Sequence, residues 1–248
     1  MRHLLQRHPI PISTYFRRSL VVTYAFPSEI LAPLLPPGIR LDLYKRYGFL
    51  AIALVSAERL RPSFLPAFFG QDVFLSGYRI FARSGASRRG LRILRSQTDR
   101  RWMVWGGNLL TRYHYRLCRQ SVEELGRDLR WSVRSLDGKG DFDVRADLAG
   151  MPAALPRGSP FEGATEARRF AGPLPYTFDY EPQTNSLISI RGMREAWNPR
   201  PVAVEVTRCT FFDQEPFCRA TPRLANAFYI ENTPYRWLKG ERRPLEPL

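Results

Sequence analysis

Lysine is almost missing from this 248-residue sequence: only Lys45, Lys139 and Lys239 stand among 38 basic residues, set against 23 acidic ones for a net charge of +15. The skew towards arginine reads as a compositional background. The arginines are dispersed, and no zinc-finger, homeodomain or RNA-recognition spacing accompanies them. The charge therefore points to weak attraction for polyanions and to no specific nucleic-acid partner. Cysteine is scarce too. Cys118, Cys209 and Cys218 form no CxxC pair, which excludes a disulfide framework and a cysteine zinc site and fits a reducing cytoplasm. Of the three histidines, His3 and His8 lie in an N-terminal arm and His114 stands alone, so no metal site is expected. No apolar run approaches about 18 residues, so no membrane span is expected. Residues 1–13 are basic and interrupted by Pro9 and Pro11, unlike a signal peptide. Phosphate-loop, dinucleotide, zincin and nucleophile-elbow motifs are all missing, and no cofactor is expected.

What is present is a run of short strands. Phe16–Phe26 is rich in β-branched and aromatic residues and reads as a strand, as do Ile39–Tyr44, the strongly apolar Phe49–Leu60 and Val73–Arg83. Pro27–Ala32 makes a short helix, stopped by Pro33 and Pro36-Pro37-Gly38. Arg61–Gly70 is an apolar loop, read as tucking its phenylalanines under the core in preference to serving as a lid or an interface. Within 119–130, Glu123-Glu124-Leu125-Gly126-Arg127 reads as turn-like or weakly helical. Leu129–Ser135 and Phe142–Leu148 flank Asp137-Gly138-Lys139-Gly140 as a hairpin. Residues 150–163 form a long loop and Ala164–Phe170 a helical turn. Thr177–Tyr180, Leu187–Arg191, Pro201–Phe212 and Ala225–Asn232 are later strands. Tyr235 to the end reads as a tail with Trp237 as an anchor. No βαβ rhythm appears, so the sheets should be antiparallel and mixed. The expected division is an arm over 1–14, a single domain over 15–240 and a tail over 241–248.

Residues 91–118 hold the densest mixture of polar and aromatic side chains. Strict alternation places Leu91, Ile93, Arg95 and Gln97 on one strand face. A short helix over 99–104 follows, ended by Gly106-Gly107-Asn108, with Asn108 serving the backbone at that break. Thr111–Cys118 is a second strand, with Tyr113, Tyr115 and Leu117 on one side and His114 on the other. Trp102 and Trp105 share a helix face, read as core packing with ligand stacking as the other reading. Arg79 shares a face with Val73 and Leu75, as Arg95 does with Leu91 and Ile93. A guanidinium on an apolar face needs a partner. That partner is either an internal carboxylate, with Asp72, Asp99 and Glu205 as candidates, or a bound carboxylate or phosphate held in bidentate fashion.

The order of several stretches resembles a family. Leu20-Val21-Val22-Thr23-Tyr24, Leu34-Leu35-Pro36-Pro37-Gly38-Ile39 and Leu41-Asp42 are followed by Arg79, Arg89-Gly90-Leu91, Arg95-Ser96-Gln97-Thr98-Asp99 and Gly106-Gly107-Asn108. Val204-Glu205-Val206 and Phe211-Phe212 come late. Over roughly residues 12–240 this is similar to the YqjF-like domain of unknown function, which resembles a branch of the acetoacetate decarboxylase-like superfamily. The resemblance implies an α+β fold: a mostly antiparallel, mixed and curved β-sheet forming a partly closed barrel, with a few short helices, around a small-molecule cavity. In the decarboxylases a lysine near the central helix forms a Schiff base. Gly107-Asn108-Leu109-Leu110-Thr111 holds no lysine here, so imine chemistry is not carried over.

The expected function is binding of a small organic acid or acyl compound in that cavity. Arg79, Arg95, Asn108, Trp105 and Tyr113 are the candidate ligand contacts. Whether a reaction follows stays open. A lysine-independent lyase or hydrolase-like step on an organic acid would use His114 or Asp72 for proton transfer. A non-catalytic structural or interaction protein and a nonspecific polyanion binder are the other readings. A homo-oligomer is one expectation for the assembly.

Overall fold

The computed structural model describes residues 2–171, 174–195 and 197–246. Its strands are β1 (Ile12–Pro27), β2 (Arg40–Leu41), β3 (Tyr47–Pro62), β4 (Gln71–Ser84), β5 (Arg88–Thr98), β6 (Tyr115–Leu125) and β7 (Asp128–Ser135). They continue as β8 (Phe142–Asp147), β9 (Tyr176–Glu181), β10 (Ser186–Arg194), β11 (Arg200–Pro201), β12 (Ala203–Cys209), β13 (Arg223–Trp237) and β14 (Glu241–Pro244). The helices are α1 (Arg2–Leu5), α2 (Ser28–Leu31), α3 (Arg101–Leu110) and α4 (Ala164–Ala171). None is long and apolar enough to cross a membrane.

Strand pairings close on themselves. β1, β3, β4, β5, β9, β10 and β13 form a ring of seven. A meander of β6, β7, β8 and β12 joins it where β6 runs parallel to β5. The β5–β9 pair is also parallel; the other ladders are antiparallel. The α+β, mostly antiparallel and mixed sheet with few short helices is the expected class.

Alternation along β1 and β3 builds two environments. Leu20, Val22, Leu50, Ile52 and Leu54 point out of the ring, where Trp131, Val133 and Phe142 of the meander cover them in the main core. The intervening residues point inward. They include Ser19, Val21, Ala51 and Ala53, which are small. Period-two side-chain placement thus packs the outside of the ring and leaves its inside under-filled. One end of the interior is plugged by Phe49, Phe81, Phe161 and Phe170, with Phe49 and Phe161 stacked at 5.2 Å. The other end is closed by α3 with Tyr115 and Trp237.

Several expectations are corrected. The helix does not stop at the glycines but runs to Leu110. An added Cβ on Gly107 would lie 2.5 Å from the Tyr115 ring, so this glycine serves close packing and not termination. Residues 119–125 extend β6 and turn at Gly126, whose φ is +65°. Cross-strand pairs with β7, such as Glu123 opposite Arg130, hold that polar stretch extended. The arm is docked, not frayed. His8 is buried, its N–H donates to the Leu110 carbonyl at 2.9 Å, and its carbonyl accepts from Gly240 at 2.9 Å. β13 reaches Trp237, which anchors as expected beside Phe16 and Tyr235. The expected tail contributes β14, paired with β10. The stretch 201–212 splits into β11, β12 and a 3-10 turn. Phe64, Phe68 and Phe69 are exposed, so the 61–70 loop does not tuck them under the core.

Candidate functional site

Several partly buried arginines have carboxylate partners. Arg7 grips Glu181, Arg83 and Arg89 share the buried Asp42, and Arg92 pairs with Asp179. Arg95 holds Asp137 in a bidentate pair at 2.6 and 2.9 Å. Its place differs from strict alternation. Tyr78 faces Arg95 but Arg79 faces Ile93, so Leu94 is an inserted residue. A bulge of this kind sends the following side chains to the opposite face. Arg95 therefore leaves the interior, and Ser96 enters it.

Arg79 stays inside. It projects from the middle of β4 into the ring, where a cavity of about 120 Å3 opens. Gly77, two residues back on the same face, makes room, since a Cβ there would lie 2.7 Å from Arg79 Nε. Arg194, at the end of β10, lines the same cavity. Among the described residues neither arginine has a salt-bridge partner. Asp72, Asp99 and Glu205 do not reach them. Asp72 accepts the Arg59 N–H at 3.0 Å, and Asp99 accepts the Phe74 N–H at 3.0 Å. Arg79 Nε and an Arg194 terminal nitrogen are buried without a hydrogen-bond partner, as are the Tyr113 hydroxyl and Ser19 Oγ. Burial lowers the pKa of both guanidinium groups, and at Arg194 the charge of Arg79 adds to it. The described lining contains no carboxylate, no histidine and no lysine. Burial also raises the pKa of Tyr113 strongly and that of Tyr115 to about 12, so both phenols remain protonated donors.

Two seams of the ring hold only three pairs each: β5–β9, and β10–β13 at Gly192–Trp237, Met193–Arg236 and Arg194–Tyr235. Leu174, Trp197 and Pro199 also line the cavity, and the Arg194 guanidinium lies 4.3 Å from the Trp197 ring. Arg194 is absent from the sequence candidates, although its signal is present. Ile188, Ile190, Gly192 and Arg194 follow one alternation, three residues beyond the expected strand end at Arg191.

The remaining candidates lie elsewhere. His114 and Asn108 line an open polar cleft of about 470 Å3 with Arg92, Arg112, Arg116 and Asp179. There, burial and the Arg92 charge lower the His114 pKa. Burial raises that of Asp179, against the pull of Arg92. Asn108 clasps the backbone of Tyr115, accepting its N–H at 2.8 Å and donating to its carbonyl at 2.9 Å. It positions Tyr115 from outside the cavity. Trp105 is exposed. Of the candidate contacts, Arg79 and Tyr113 meet in the cavity, Arg95 and Asp72 are engaged elsewhere, and Trp105, His114 and Asn108 do not line it.

Solved structures share this architecture. The enduracididine biosynthesis enzyme MppR, seen with HEPES bound, aligns with a TM-score of 0.64 at 10% identity over 94% of this chain and 88% of its own. An acetoacetate decarboxylase-like enzyme from Sphingomonas wittichii RW1 gives 0.63 at 12% identity, covering 97% and 95%. The acetoacetate decarboxylase of Legionella pneumophila gives 0.61 at 12%, covering 95% and 88%. The MppR enzyme is also known in complex with pyruvate. At these identities the likeness is one of fold. None of the curated proteins matches the chain. The profile of DUF2071, described as an uncharacterized conserved protein (COG2071), matches residues 14–233, and the chain belongs to that family of acetoacetate decarboxylase-like fold.

Proposed function

We propose that the ring interior binds a small organic acid or acyl compound, its carboxylate or polarised carbonyl lying between Arg79 and Arg194. One observation carries this reading: two arginines share a cavity in which, among the described residues, no carboxylate neutralises them. A buried guanidinium without a counter-charge is costly, and a carboxylate fits its fork in bidentate geometry. Tyr113, beside Thr177 in the lining, adds a neutral hydroxyl. Most of the rest of the wall, with Phe16, Val55, Leu91, Ile93, Phe228 and Ile230, is apolar, interrupted by Ser76, Ser96 and Thr177. The ligand is thus an acid with an apolar body, not a polyol.

Imine formation is no part of the reading. Lys45, Lys139 and Lys239 are all exposed, and Lys45 is tied to Glu162 at 2.7 Å. The described lining also offers no group that is a base at neutral pH. His114 and Asp72 stand outside the cavity and take no proton-transfer role in this reading. Binding with carbonyl polarisation is the chemistry these residues support.

The test is a thermal-shift and calorimetric screen of keto acids, starting with pyruvate, on the native protein and on Arg79→Met. A saturating acid at about 100 times its dissociation constant adds about 2.7 kcal/mol of stability. The native protein should show that shift and the variant should not. An equal shift in both would rule out Arg79 as the anion contact.

A further inference from the structure

A second hollow lies beside the arginine cavity. It sits between the N-terminal arm, the end of β3 and α3, and measures about 200 Å3. Ile10, Leu60, Met103, Gly106 and Leu110 are among its walls, and its surface is almost wholly apolar. No carboxylate or lysine lines it among the described residues. Arg61, at its edge, is already satisfied, donating to the carbonyls of Leu65 and Arg59 at 2.9 Å each.

The two hollows share Leu75, Tyr113, Tyr115 and Trp237. One layer of side chains therefore stands between them. Leu75 is four residues from Arg79 on the same face of β4. Extension of a ligand in the opposite direction is blocked by the packed phenylalanines around Phe49 and Phe161.

Gly106 is the second observation. Glycine inside a helix costs about 1 kcal/mol relative to alanine, and α3 carries two in succession. Packing explains Gly107, which Tyr115 covers. It does not explain Gly106, where an added Cβ would meet nothing within 4 Å. A larger residue there would fold without a clash and would fill part of the hollow it borders. The helix forgoes stability at the position where a side chain would close this space.

We infer that the ligand is an amphipathic carboxylic acid, with its head on Arg79 and Arg194 and an alkyl or aryl tail passing the Leu75–Tyr113–Tyr115–Trp237 layer into the chamber under α3. This rests on the acid-binding reading above and adds the substrate class to it.

The experiment is calorimetric titration of straight-chain carboxylates from propanoate to decanoate into the native protein, Gly106→Ala and Gly106→Leu. Each methylene buried in an apolar space should tighten binding about fourfold, the equivalent of about 0.8 kcal/mol. In the native protein the gain should continue through the longer acids. In Gly106→Leu it should stop at a shorter chain, with Gly106→Ala between the two. Propanoate, which needs only the arginine cavity, reports whether the acid site persists. Identical chain-length profiles in all three proteins would overturn the chamber and leave the acid site standing. Failure of every carboxylate to bind the native protein would overturn both. Should Gly106→Leu lose its far-ultraviolet circular dichroism, Met103→Phe from the adjacent turn repeats the comparison.

Discussion

Replacing Arg79 by methionine separates binding from stability. The side chain lies deep in the ring, with no carboxylate beside it among the described residues. An unpaired buried charge is costly to hold, so the ligand-free variant, with an apolar chain of similar length, should melt at or above the native temperature. A fall in melting temperature would mean that the guanidinium has an internal partner. Gly77→Ala tests the same residue indirectly. Its Cβ would press on Arg79 Nε from 2.7 Å and displace the fork. Acid affinity should fall at least tenfold, or about 1.4 kcal/mol, with the far-ultraviolet spectrum unchanged. At this scale the sequence is legible where alternation holds. Arg79 on an apolar face follows from period two alone. Arg95 does not, because a single inserted residue, Leu94, reverses the facing of all that follows. Nothing in the composition of Leu-Arg-Ile-Leu-Arg marks the bulge.

Two elements carry their own tests. Within α3, Gly106 and Gly107 are neighbours with opposite demands. Gly106→Ala should stabilise the protein by about 0.5–1 kcal/mol, the helix-propensity difference, since its Cβ enters open space. Gly107→Ala should destabilise it, since the Tyr115 ring occupies the place of the Cβ. Paired melting curves decide, and equal effects would refute the packing account. Their adjacency also explains why the helix outruns its expected end. A Gly-Gly-Asn run reads locally as a stop, and the ring that requires a glycine here belongs to the next strand, β6. The arm is held by His8, whose burial lowers its pKa from 6.5 to about 4. Above pH 6.5 the imidazole is neutral both folded and unfolded and adds no pH dependence. As pH falls from 6.5 towards 4 the unfolded form takes up a proton that the docked form refuses. Each tenfold difference in proton affinity between the two forms is worth about 1.4 kcal/mol. The loss therefore grows to about 3 kcal/mol, or stops at the smaller cost of undocking the arm. The protection of the Gly240 amide, which donates to the His8 carbonyl, measured as its exchange rate against the intrinsic rate at the same pH, should fall below pH 6 in the native protein. In His8→Phe that protection should stay constant over the same window.

Across the whole molecule, the cavity follows from an imbalance of side-chain size on the two faces of one ring. Large aliphatics point out to meet the meander, and alanine, serine and valine point in. The pattern is written in Phe49-Leu50-Ala51-Ile52-Ala53-Leu54, yet a strand buried on both faces reads as a uniform apolar run until the ring closes. What closes it is the set of long-range pairings of β13 with β1 and of β5 with β9, which no local stretch announces. The cavity should therefore be removable without unfolding the ring. Ala53→Leu adds a branched side chain on the inner face. Burying it is worth about 1.5–3 kcal/mol, and overpacking costs about 1–3 kcal/mol, so stability should stay near native. At about 2–4 °C per kcal/mol for a chain of this size, the melting temperature should move by a few degrees at most while every acid-induced shift disappears. An Ala53→Leu protein that fails to fold would mean that the interior is already packed. One that folds and still binds acids would move the site to the outer cleft around Arg92, Arg112 and His114, where other cations gather beside open space.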